Sequence, residues 1–122
     1  PTTMRKGVGV LNMFAVRRAL SQSPRLQELC AELIASKAID AEELNPSDPL
    51  GFVLQMSDAA SLPEAAYRFC RHQPGIHVVL TGTGNPEHLR ENIAAILKPA
   101  LPEAVLRKLD HLFGRLDSLS GN

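Results

Sequence analysis

The densest set of groups able to do chemistry lies in residues 78 to 93, VVLTGTGNPEHLRENI. A short apolar run stops at Thr81-Gly82-Thr83-Gly84, and Asn85-Pro86 then opens a segment with Leu89 and Ile93 in helical phase. The first backbone N–H groups of a helix have no carbonyl partners, and the aligned peptide dipoles place about half a positive charge there. Glycines at 82 and 84 carry no side chain to obstruct approach, Thr81 and Thr83 add hydroxyls, and His88 adds a ring that donates when protonated. The chemistry on offer is recognition of an anion, a phosphate above all. The same residues also build an ordinary strand-to-helix turn, and the stretch matches neither G-x-G-x-x-G nor the Walker pattern.

Other reactive side chains are sparse. Cys30 and Cys70 are the only cysteines, lack C-x-x-C spacing and fall on apolar faces of expected helices, so they read as buried free thiols. His72, His77, His88 and His111 show no metal-ligand spacing and read as surface or helix-end residues. With 13 basic against 13 acidic side chains in 122 residues, nothing steers the chain toward nucleic acid or anionic lipid. The longest apolar stretch, Gly7 to Val16, is about half a membrane span, so no membrane segment is expected and a cytoplasmic location is.

The elements that must position these groups follow from periodicity. Val8, Val10 and Leu11 predict a buried strand, and Ile76, Val78, Val79 and Leu80 predict a second one. Ser23-Pro24 begins a helix over 24–38 with Leu26, Leu29, Cys30, Leu33 and Ile34 on one face. Ser61-x-x-Glu64 is a capping box opening a helix to about His72. Asn85-Pro86 starts the next, and Val105, Leu109, Leu112, Phe113 and Leu116 mark the last. Residues 39–60, with Asn45-Pro46, Asp48-Pro49 and Gly51, read as a long excursion with one short helix at DAEEL, the kind of loop that carries function. Strands alternating with helices argue for parallel pairing in an α/β fold. Two parallel strands leave edges and faces uncovered, and the chain opens Pro-Thr-Thr, so it reads as a piece of something longer.

The segment PGIHVVLTGTGNPEHLRENIAAIL resembles the end of the aldo/keto reductase family, whose last strand leads into a pattern of the kind P-G-[ST]-x-x-x-x-[QRH]-[LI]-x-E-N. Gly82, Thr83, His88, Leu89, Glu91 and Asn92 fall on that pattern in register. SLPEAAYRFCRHQPGIHVVL and KGVGVLNMFAVRRAL resemble the helix, strand and loop before it. The resemblance implies a partial (β/α)8 TIM barrel, two short parallel strands with about four helices, forming one incomplete domain over residues 1–122. It also implies an NADP(H)-dependent oxidoreductase of aldehydes or ketones, with this segment holding the adenosine 2′-phosphate. Gly82 would belong to the cofactor-binding turn, Thr83, Gly84 and His88 would face the phosphate, and Glu91 and Asn92 the adenine. The loop of Asn12, Met13, Phe14 and Ala15 would wrap the pyrophosphate mainly through backbone groups, with Arg17 and Arg18 the nearest cations.

Departures from the family pattern limit what carries over. Gly84 stands where family members often have Arg, Lys or Ser, which leaves NADH open beside NADPH, and Asn12 to Ala15 replace the common Tyr-Ser-Pro-Leu. The lone tyrosine, Tyr67, lies inside an expected helix and is not the family's proton donor, so no catalytic residue is assigned. The partners implied are a small carbonyl substrate, the rest of the parent chain, and a second copy pairing through exposed strand edges. The rival expectation is a free-standing α/β or helical protein-interaction module in which TGTGNP is only a turn.

Overall fold

A computed structural model of the chain describes residues 2–117. In order it contains α1 (Thr2–Arg5), β1 (Leu11–Asn12), α2 (Arg18–Ser21), α3 (Ser23–Ala35), α4 (Gly51–Gln55), α5 (Leu62–Arg71), β2 (Val78–Val79), α6 (Pro86–Leu97) and α7 (Glu103–Phe113). The helices expected from apolar periodicity form where they were expected. Ser61 caps α5 by accepting the Glu64 N–H at 3.2 Å, and the Asn85 side chain caps α6 by accepting the Glu87 N–H at 2.9 Å.

The expectation of a partial TIM barrel is not met. The two strands are two residues long and, among the described residues, pair only with each other, parallel, with Leu11 opposite Val78 and Asn12 opposite Val79. Barrel closure needs a run of tilted strands that share one interior. Here the main core holds no strand residue at all: Ala19, Leu26, Leu29, Cys30, Val53, Ala65, Val105 and Leu112 come from five helices. The sheet sits at the margin on a second, small cluster of Ala15, Tyr67 and Ala95, with Val79 against it. Its other face is bare, with Leu11 60% and Val78 45% exposed.

The turn-rich excursion also behaves differently from expectation. DAEEL forms a turn rather than a helix, and a short helix appears later, as α4. Ile39, Leu44, Leu50, Val53 and Ala59 from this stretch are buried in the main core. The stretch is also stitched outward: Gln27 donates to the Ser47 carbonyl at 2.7 Å, His111 meets Glu43 at 2.8 Å, and Lys108 lies 4.5 Å over the Phe52 ring. Its apolar residues are spaced irregularly because they plug gaps between helices, so neither helical nor strand periodicity reveals them.

Arg68 on α5 is 1% exposed, and every branch of its guanidinium is engaged. Nε donates to the Pro99 carbonyl at 2.8 Å and Nη2 to the Ala100 carbonyl at 3.3 Å, while Nη1 meets Asp58 at 2.8 Å and Glu64 at 3.2 Å. Lys98 reaches the same Glu64 oxygen at 2.8 Å. The Glu64 carboxylate thus serves Arg68 and Lys98, and it also takes the Ala60 N–H, so its role exceeds that of a capping-box residue. The hydrogen bond from Arg68 holds the Asp58 carboxyl below its ordinary range. Burial alone would raise Glu64, but the bonds from Lys98, Ala60 and Arg68 outweigh it and hold the group low.

Arg68→Met should therefore cost about 3–5 kcal/mol, read from urea unfolding, because it leaves the half-buried Glu64 under-paired and removes the side-chain donor from the Pro99 and Ala100 carbonyls. Carboxyls held below their ordinary range stabilise fully above that range and lose the stabilisation as pH falls through it. The unfolding temperature should drop on acidification below about pH 4. A Glu64→Gln variant should start lower at neutral pH and fall less, and parallel curves would show that Glu64 does not carry the effect.

Candidate functional site

Both strands deliver their following loops to the same end of the sheet. The Leu80 N–H donates to the Asn12 carbonyl at 2.9 Å, so the loop that leaves β1 and the turn that leaves β2 start side by side. The two segments that carry the candidate residues, 13–17 and 82–92, thus both follow from the carboxyl end of a parallel pair, where α/β proteins bind ligands.

The β2–α6 turn is open. Gly82, Thr83, Gly84 and His88 are all exposed, and the Cβ positions of both glycines face empty space with nothing within 4 Å. Neither glycine has a positive φ, so backbone strain does not require glycine at either position. Thr83 Oγ1 accepts the Asn85 N–H at 3.1 Å and so shapes the turn from within. Among the described residues, the N–H groups of Gly82, Thr83, Gly84 and His88 have no intramolecular acceptor. The His88 ring likewise makes no hydrogen bond among those residues, and Arg90 is paired with Glu87.

Behind the turn lies a relay that the sequence did not reveal. Tyr67 Oη and Thr81 Oγ1 are 2.8 Å apart, and Asn92 Nδ2 donates to the same Thr81 oxygen at 2.8 Å. Tyr67 is buried in the small cluster, so this network ties the end of β2 to α5 and α6. Asn92 spends an amide N–H here. Glu91 is exposed on α6. The signal available in the sequence was only that Thr81 and Asn92 are short polar residues flanking one turn; their contact with Tyr67, 14 positions away from Thr81, is tertiary.

On the neighbouring loop Met13 and Phe14 are exposed, and Phe14 adopts a left-handed φ of 59°. Arg17 lies 4.5 Å over the Phe14 ring. Ala15 is buried against Tyr67 and Ala95, so its methyl group anchors the loop and only its backbone can meet a ligand. Arg18 begins α2 and bonds to Gln22 at 2.9 Å.

A separate concavity, an apolar cleft of about 700 Å³ between α5 and α7, meets the β1 loop only at Ala15. Cys70 lines it and Cys30 lies in the main core; both are free, and burial pushes both thiols up. No family model and no solved structure matches the chain. Among the described residues, no helix is long and apolar enough to cross a membrane.

Thr81→Val keeps the shape but strands the Tyr67 hydroxyl and the Asn92 amide. It should cost about 1–3 kcal/mol in chemical denaturation, and Thr81→Ser should recover most of that.

Proposed function

We propose that the β2–α6 turn binds a phosphate, the adenosine 2′-phosphate of NADP(H), as part of an oxidoreductase acting on small aldehydes or ketones. The observation that carries the reading is the set of uncovered N–H groups from Gly82 to Gly84 and at His88, at the head of a capped helix and between two glycines that the backbone does not require. The resemblance of residues 74–93 to the aldo/keto reductase pattern supplies the identity of the anion. The exposed His88 ring adds a cationic donor when protonated, and Met13, Phe14 and Arg17 lie on the loop that leaves the adjoining strand, with Arg17 over the Phe14 ring. Gly84 offers no side chain to the 2′-phosphate, so discrimination against NADH rests on backbone donors and His88.

The bare apolar surfaces favour a second reading, a protein-interaction module. Leu89, Ile93 and Leu97 form an exposed stripe on α6, with Leu97 80% exposed, and the α5–α7 cleft is apolar on its walls. In that case self-association or partner capture through these faces and the open sheet is the activity, and nucleotide is irrelevant to it.

Titration with NADP⁺ and NAD⁺, followed by amide NMR, separates the two. The first reading expects shifts confined to residues 82–92 and the adjoining loop, stronger for NADP⁺, and on the order of tenfold weaker binding for His88→Ala. No shift at millimolar NADP⁺, together with concentration-dependent sedimentation, would replace it with the second. The chain alone should oxidise no NADPH in the presence of aldehydes, since no proton-donating tyrosine stands at a strand end; measurable turnover would contradict this assignment of parts.

A further inference from the structure

His77 stands one residue before β2 and grips Val10, one residue before β1, at two points. Its backbone N–H donates to the Val10 carbonyl at 3.0 Å, and its ring Nδ1 accepts the Val10 N–H at 3.1 Å. A backbone N–H can only donate, so Nδ1 must carry its lone pair and the ring proton must sit on Nε2. The imidazole thus fills the place of a backbone carbonyl at the end of a very short ladder. An imidazolium has no lone pair on either nitrogen, and protonation would set a donor against a donor.

Little else holds the segment before β1. Helix α1 buries no residue, and the backbone hydrogen bonds of residues 6–8 return to residues 2–4 of the same segment. Met4 lies over Gly75, and the remaining ties to β2 run through Val10. Among the described residues no ion pair involves His77. In sequence, the charged side chains nearest to the joined residues are Arg5 and Lys6 before Val10 and Arg71 at the close of α5. Glu64 and Arg68, farther back on α5, are bound to each other.

We propose that His77 is a proton-operated latch, which holds the α1–β1 segment on β2 while its ring is neutral and releases Val10 when Nδ1 takes a proton. Since β1 runs directly into the loop of Met13 and Phe14, release would loosen that loop where it adjoins the β2–α6 turn. The latch stands whether or not that turn binds nucleotide.

Amide exchange of Val10 in the whole chain, expressed as protection relative to an unstructured peptide at the same pH, reads the latch directly. Between pH 8 and pH 5, protection at Val10 should fall about three- to tenfold, the worth of one hydrogen bond. In His77→Asn the amide oxygen sits at the same distance along the side chain and cannot be protonated in this range, so protection should stay constant. In His77→Leu it should be low at both pH values. Acid effects of Asp58 and Glu64 belong to lower pH and are shared by all three proteins. Unchanged protection in the native chain, or an equal fall in His77→Asn, would overturn the latch.

Discussion

The fold depends on a buried guanidinium. Arg68 leaves water almost entirely, which is tolerable only because its three nitrogens meet two carboxylates and two backbone carbonyls. The carbonyls belong to Pro99 and Ala100, just past the C-terminus of α6, where the helix dipole itself favours a cation. One side chain thereby fixes the path from α6 to α7 and the approach of the loop that precedes α5. A lysine would carry the same charge but not the planar fork that reaches several acceptors at once.

Around that clamp the protein divides unevenly. The large cluster is helical and gathers the residue 39–60 stretch into itself, while the sheet and both candidate loops ride on three buried residues and their neighbours. Segments with few buried apolar contacts open first. The edge that carries the candidate site is therefore the less stable part of the molecule, and its order rests on polar ties: Thr81 with Tyr67 and Asn92, Asn85 with Thr83, and Val10 with His77.

What could be read in the sequence was what local physics determines. Leu26, Leu29 and Cys30, or Val105 and Leu112, announce their helices because the period is 3.6 and the burial is one-sided, and Ser61 and Asn85 announce the starts because capping spans three residues. The strands were placed but overextended, since Val8 and Leu80 have strand-forming side chains but no partner strand to continue the ladder. The barrel was wrong because it required contacts that no local pattern encodes, and α4 was missed because Gly51 and Val53 are buried by distant helices. At the site the turn was legible; the inward use of Asn92 and the burial of Ala15 were not, since both depend on where Tyr67 ends up.

Gly82 and Gly84 have one further consequence, for mutational reach. Neither sits in a left-handed conformation and neither has a neighbour to collide with. Almost any side chain could be installed at either position without disturbing the turn or the helix it feeds. The chemistry presented at this edge is thus separable from the stability of the fold, and a single nucleotide change at codon 84, GGN to CGN, could add an arginine to the turn while Arg68 and its partners stay untouched.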